Sequence, residues 1–464
     1  MENIGPELKE SGATAANWRY ALDKVVPAVV VRMTTTCRTF DTGLAGSGSA
    51  TGFVVDKKRG IILTNRHVVK PGPVVAEAMF LNREEIPVYP MYRDPVHDFG
   101  FFRFDPGLIQ FLSYEEIPLA PEAASVGLEI RVVGNDSGEK VSILAGTLAR
   151  LDRDAPIYEK NGYNDFNTFY IQAASGTKGG SSGSPVIDSQ GRAVALTAGC
   201  NTTSSSAFFL PLERVVRALK FLQKGRDSCT DGWGAVYIPR GTLQVTLLHK
   251  GFDETRRLGL RIETEQMVRH ESRLGETGML VVDSAVPGGP AHHLLQPGDV
   301  LVLVNGNVVT QFLEMETLLD DNVDRKIELQ IERGGAPVHV ELMVQDLHSI
   351  TPYSFLEISG AVIHPLSYQQ VGRVFLLFLT DRYDIFSRQW IVEVNGKPTP
   401  DLDAFVEVTK EIEDGEFVRV HMVDLTGKSR VLTLKQDLHY WPTWEVRRNH
   451  NTAMWQHKTI KASD

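Results

Sequence analysis

Residues 178–188 read KGGSSGSPVID. By composition alone, glycine and serine in this density describe a flexible linker. The flanks argue otherwise. The apolar run VID follows directly, and GRAVALTAG at 191–199 is a second strand-like run. A spacer between domains is not framed by two buried strands of one domain, so the stretch reads as a tight turn that presents a serine. Gly180 and Gly183 let the backbone fold so that successive N–H groups converge on one point beside that serine. Ser181, Ser182 and Ser184 compete for the role of nucleophile.

A serine hydroxyl attacks a carbonyl only when an imidazole takes its proton and an acid orients the imidazole. GIILTNRHVV at 60–69 places His67 just after an apolar strand, and DPVHDFGFFRF at 94–104 places Asp98 just before another. Asp94 is a rival acid and His97 a rival base in the same loop. Each residue alone has an ordinary structural explanation, as a turn or cap group. The glycine-rich GSGSATG at 46–52 precedes a strand rather than a helix and lacks the Lys-Ser/Thr ending of a phosphate loop, so it reads as a hairpin.

Outward from the serine turn, the first ~220 residues are short β-branched and aromatic runs punctuated by Gly, Asp, Asn and Pro, the pattern of a barrel or sandwich. NWRYALDKVV and LERVVRALKFLQ bracket them as amphipathic helices. The composition changes at 224–234. Beyond it lies an internal repeat: LVNGNVVTQFLEMETL from Leu303 and EVNGKPTPDLDAFVEV from Glu393 each read as strand, Asn-Gly turn, then short helix. The expected organisation is a catalytic domain at 1–225, two similar modules at 226–347 and 348–440, and an aperiodic tail at 441–464.

The bulk properties set limits. A chain of 464 residues is about three domains long. Its net charge of −10 opposes a nucleic-acid partner, and no apolar run has the length of a membrane helix. The three cysteines, Cys37, Cys200 and Cys229, fit neither a disulfide framework nor a zinc site, which favours a reducing compartment. Neither a metal nor another cofactor is called for. His292 and His293 read as a surface pair.

The His, Asp and Ser blocks together, GSATGFVVD…GIILTNRHVV, HDFGFFRF and GGSSGSPVID, resemble those of the HtrA serine proteases. That resemblance implies a mainly β fold: a trypsin-like double β-barrel protease domain followed by two PDZ-like α/β modules. The family's Gly-Asn-Ser-Gly-Gly block, laid onto residues 180–184, makes Ser182 the nucleophile, with His67 as base and Asp98 as orienting acid. Gly180, Ser181 and Ser182 then supply the oxyanion N–H groups. Leu196, Thr197 and Ala198 line the primary pocket, and no acid lies near its expected base, which implies cleavage after small or medium aliphatic residues in unfolded polypeptides. AVPGGPAHHLLQPGDVLVLVNG resembles the PDZ signature, including a helix beginning near Pro290. Leu258, Gly259 and Leu260 match the loop that takes a peptide C-terminus. In the second module EISGAVI puts Ser359 and Ala361 where larger apolar residues are expected, which implies a structural or regulatory role.

Within the family, the likeness is to a large fungal nuclear form that resembles two units in tandem, with this chain as its first half and the tail leading onward. It implies nuclear, alternatively cytoplasmic, placement and stress or pro-apoptotic roles. It also implies homotrimers built through N-terminal aromatics such as Trp18 and Tyr20. The alternatives are a non-proteolytic holdase and a PDZ scaffold with a silent barrel.

Overall fold

The structure, a computed structural model, describes residues 13–135, 141–156, 164–174, 181–201, 206–224, 235–272, 275–368, 389–424, 427–449 and 452–462. The leading helix α1 (Ala15–Val25) starts at Thr14, whose hydroxyl accepts the Asn17 N–H, and it buries Trp18, Ala21 and Val25. Seven antiparallel strands follow: β1 (Val29–Thr36), β2 (Gly46–Asp56), β3 (Ile61–Thr64), β4 (Val74–Met79), β5 (Glu85–Pro87), β6 (Tyr89–Arg93) and β7 (Gly100–Arg103). They form one sheet in the order β5-β4-β1-β2-β3-β7-β6. Six more, β8 (Glu129–Gly134), β9 (Ser142–Asp154), β10 (Phe169–Ala174), β11 (Pro185–Ile187), β12 (Ala193–Asn201) and β13 (Ser206–Pro211), close into a barrel.

Closure removes the strand edges of this second half and fixes the serine turn at the start of β11. Helix α2 (Glu213–Gln223) then returns across both halves, burying Val215, Ala218, Leu219 and Leu222. One core cluster runs from Val29, Phe53 and Ile62 of the first sheet to Leu196 and Leu219. The two halves are thereby a single folded body.

The first module begins with β14 (Gly241–Thr242) and the edge strand β15 (Val245–Gly251). Helices α3 (Phe252–Arg257) and α4 (Ile262–Glu271) lead to β16 (Gly278–Ala285), β17 (Val300–Val304) and β18 (Asn307–Val308). Helix α5 (Phe312–Asp321), β19 (Lys326–Arg333), β20 (Ala336–Met343) and β21 (Gln345–Asp346) complete it. The sheet order is β15-β16-β17-β19-β20, so β15 has one free edge. The helix expected near Pro290 is a run of turns, in which the Leu294 and Leu295 amides both return to Ala291 O at 3.0 Å.

The second module holds β22 (Ser354–Ile358), β23 (Ala361–Ile363), β24 (Gln389–Val394), β25 (Lys397–Pro398), α6 (Leu402–Thr409), β26 (Phe417–Asp424) and β27 (Ser429–Lys435). The internal repeat is realised in matching detail. Asn305 and Gly306 have φ of 48° and 80°, and Asn395 and Gly396 have 50° and 80°. Both pairs make the left-handed two-residue turn that Asn-Gly favours. Asn305 Oδ1 accepts the Glu328 amide at 2.9 Å, and Asn395 Oδ1 accepts the Arg419 amide at 2.7 Å.

The stretch expected to be a tail is built in. Residues beyond 441 form β28 (Thr443–Arg448) and β29 (Trp455–Lys461), giving the sheet β23-β22-β28-β29. Aromatic side chains hide the alternation of these strands in the sequence. Trp455 meets Phe40, in the loop between β1 and β2, edge-on at 5.7 Å and packs at a tilt on Phe355 at 5.8 Å.

Candidate active site

The turn after β3 is closed by the Val68 and Val69 amides, which donate to Asn65 O at 3.1 and 3.2 Å. It carries His67, whose side chain remains 36% exposed. Asp98 stands fully buried just before β7, and strands β3 and β7 pair side by side. The two side chains meet. His67 Nδ1 lies 3.0 Å from both oxygens of Asp98, and the His67 amide donates to Asp98 Oδ1 at 3.1 Å. A carboxylate that faces Nδ1 holds the proton there and leaves Nε2 as the basic nitrogen.

The rivals in the same loop are occupied elsewhere. Asp94 Oδ1 accepts the amides of Val96 and His97 at 2.9 and 2.7 Å, and Tyr92 donates to its Oδ2 at 2.9 Å. Burial alone would raise the Asp94 carboxyl, but the Arg240 guanidinium, with help from His97, holds it at about 2. His97 is buried, with Nδ1 on Asp165 at 2.8 Å. Neither rival is presented to a substrate.

The serine turn is pinned across the two halves. Thr51 of β2 donates its amide to Ser182 O at 2.9 Å, and the Gly183 amide donates to Thr197 O of β12 at 2.9 Å. Gly183 has φ of 83°, and a Cβ there would stand 2.1 Å from Thr51 O and 2.3 Å from Thr64 Oγ1. Only glycine fits. Ser181 and Ser184 are buried and Ser182 is partly exposed. Ser184 Oγ fills the space where a Gly134 side chain would begin, so that a Cβ added to Gly134 would stand 1.8 Å from it. Ser182 Oγ points toward Ala198 O at 3.5 Å, and no acceptor among the described residues takes its amide N–H.

Other expected site residues fare differently. Gly180 lies outside the described residues. Leu196, Thr197 and Ala198 are all buried, and Leu196 and Ala198 pack into the main core. Leu258, Gly259 and Leu260 occupy the turn between α3 and α4, not the approach to a strand. Gly259 has φ of 100°, and Leu260 is buried against Phe252 and Val268. The stretch that does lead into the free edge strand is residues 241–244, β14 and the two residues after it. The signal was present as the alternating VTLL at 245–248, whereas LRI runs straight into the helix-forming IETEQMVRHE. Trp18 is buried on the core beneath the Arg131 guanidinium at 4.2 Å, while Tyr20 is exposed.

Sequence reasoning missed a buried charged joint between the barrel and the first module. Arg240 pairs with Asp94 at 3.0 Å and with Asp320 of α5 at 2.8 Å. Glu316 of α5 approaches His97 Nε2 at 3.7 Å. These residues are far apart in sequence, and no local pattern joins them.

Comparison with known proteins agrees with this architecture. Residues 50–196 match the trypsin-like peptidase domain family and residues 281–333 the PDZ domain family. The chain is 65% identical to Protease Do-like 7 of Arabidopsis thaliana, over 98% of this chain and 43% of the relative. It is 44% identical to the pro-apoptotic serine protease NMA111 of Eremothecium gossypii, over 98% of this chain and 47% of that protein. It thus spans less than half the length of these curated relatives. Among solved structures, the HtrA-type protease AlgW with a decapeptide aligns over 71% of this chain and 98% of its own at a TM-score of 0.50 and 18% identity, a likeness of fold. With its peptidase and PDZ segments in that order, and with relatives of this identity along nearly its whole length, the chain belongs to the HtrA family of serine proteases.

Proposed function

We propose that this chain is a serine endopeptidase in which Ser182 attacks the scissile carbonyl, His67 accepts and then returns the proton, and Asp98 fixes the imidazole. The observation that carries the reading is His67 Nδ1 held at 3.0 Å by both Asp98 oxygens, together with a glycine-forced turn in which Ser182 is the partly exposed serine. The uncommitted Ser182 amide supports its place in an oxyanion hole together with Ser181 and Gly180. Substrates are unfolded polypeptides cleaved after small or medium aliphatic residues, a preference supported by the lack of an acid in AASGTKGG before the serine. The names of the fungal relatives support a pro-apoptotic or stress setting, and the resemblance supports nuclear placement. The exposed Tyr20 is the aromatic left free to join copies into a trimer.

The test is fluorophosphonate labelling and casein cleavage by wild type, Ser182→Ala, Ser184→Ala and His67→Ala. Ser182→Ala and His67→Ala are expected to lower cleavage by about 10⁴-fold or more. Labelling that persists in Ser182→Ala and disappears in Ser184→Ala would overturn the assignment.

A further inference from the structure

Residues 164–169, which lead into and begin β10, touch both the triad's acid and the free edge of the first module. At one end, Asp165 Oδ2 accepts the Asp98 amide at 3.1 Å and the Tyr170 hydroxyl at 2.9 Å, while its Oδ1 takes His97 Nδ1. Two residues on, Asn167 lies against β15. Its Nδ2 donates to Val245 O at 3.0 Å, and its Oδ1 accepts the Leu247 amide at 2.7 Å. A carbonyl and an amide two residues apart on a strand edge are the pair an added peptide strand engages. One side-chain amide satisfies both.

The rest of the groove is filled in the same way. Asn167 Nδ2 also donates to Glu316 Oε1 of α5 at 3.3 Å, so the side chain bridges strand and helix. The Phe169 ring packs on Phe312 of α5 at 4.9 Å and on His249 of β15 at 5.3 Å. Asn167 and Glu316 line a cavity of about 20 Å³ together with Leu247, Val282, Leu295, Met315 and Ile331. In a strand-addition complex a pocket between edge strand and helix takes the last side chain of the peptide. Arg214 of α2 fixes the segment from behind, donating to Asn167 O at 3.2 Å and to Thr168 Oγ1 at 2.8 Å.

We propose that residues 164–169 are a built-in ligand of the first module's peptide groove, so that a peptide C-terminus entering that groove and the Asp165 support of Asp98 exclude one another. A free C-terminal peptide is then an antagonist of the protease. To reach Val245 O and Leu247 N it must lift Asn167, and Asp165 is only two residues away on the same short segment. The coupling rests on the reading of Asp98 as the triad's acid. The occupancy of the groove does not.

The experiment uses the full chain and fluorescent decapeptides ending in Val, Leu or Phe with a free carboxylate, with C-terminally amidated versions as controls. Asn167→Asp keeps the shape of the side chain, removes the donor to Val245 O and sets a second carboxylate against Glu316. Asn167→Ala removes the side chain outright. Both are expected to bind at least one of the carboxylate peptides about tenfold or more tighter than wild type, because the apparent affinity scales with the open fraction of the groove. Saturating peptide is expected to speed hydrogen exchange at residues 96–99 and to slow fluorophosphonate labelling. Equal affinity of wild type and both variants, or no binding to any form, would overturn the built-in ligand. Unchanged exchange at 96–99, or faster labelling with peptide, would overturn the exclusion. Tighter binding and faster exchange in a protein that never labels would support the exclusion and count only against the proposed activity.

Discussion

Three serines stand within four residues, and burial separates them. Ser184 Oγ is enclosed without a hydrogen-bond partner among the described residues and packs on Gly134, where a side chain has no room. A buried hydroxyl with no partner is a cost, about 1–3 kcal/mol in general. Ser184→Ala is therefore expected to keep fluorophosphonate labelling and to leave thermal stability unchanged or slightly higher. A fall in melting temperature of several degrees would show that this hydroxyl has a structural task. Gly183→Ala is the converse case. With φ of 83° and the Thr51 carbonyl oxygen only 2.1 Å from where the added methyl carbon would sit, the variant has nowhere to relax. It is expected to lose about 2 kcal/mol or more in denaturant unfolding, together with labelling. The turn was legible in the sequence because glycine spacing is a local rule. The preference for Ser182 over Ser184 came from the family block laid on residues 180–184, whereas the packing that supports it involves Gly134 and Thr51, which are remote in sequence.

Among the elements, the paired modules were the most legible. An Asn-Gly turn depends on two residues alone, and both copies adopt the same φ angles to within a few degrees, 48° and 80° against 50° and 80°. The peptide loop was the least legible. Leu258, Gly259 and Leu260 satisfy a local pattern, but what makes a groove is a strand edge left free by the whole sheet order, and that edge belongs to β15. The end of the chain gave another lesson of this kind. Strands β28 and β29 pair with β22 from the start of the module, β29 through β28, and a partner that distant leaves no periodic mark. Truncation after residue 441 would strip β28 from β22 and uncover Phe355, now buried between Phe40 and Val446. The shortened chain is expected to show fast proteolysis confined to the second module, with labelling of the barrel retained. Proteolytic resistance equal to that of the full chain would mean that the two strands are dispensable.

At the scale of the whole molecule, the joint between barrel and first module is ionic and buried, which ties its strength to pH. Around His97 stand Asp165, Glu316, Asp94, Arg214 and Arg240. Burial and the Arg214 charge push the imidazole down, yet Asp165 and Glu316 outweigh them and raise it above 6.5. The protonated form is thus favoured by folding. Its stabilisation is complete below the ordinary histidine value and is lost as pH rises through the higher folded value. Asp94 and Glu316 are lowered overall, despite burial that would raise both, so their contribution fades on the acid side. Wild type is expected to lose more thermal stability than His97→Gln between about pH 6.5 and 8.5. Parallel melting curves across that range would remove His97 from the account. None of this was readable from the chain, because His97, Asp165, Arg240 and Glu316 become neighbours only after both domains have folded. The guanidinium of Arg240, gripped by Asp94 on one side and Asp320 on the other, also bears on the exchange of modules. A barrel joined to a module that lacks the Arg240 cation would be left with Asp94 buried and without that charge, so a module exchanged into this chain has to bring a cation to the same place.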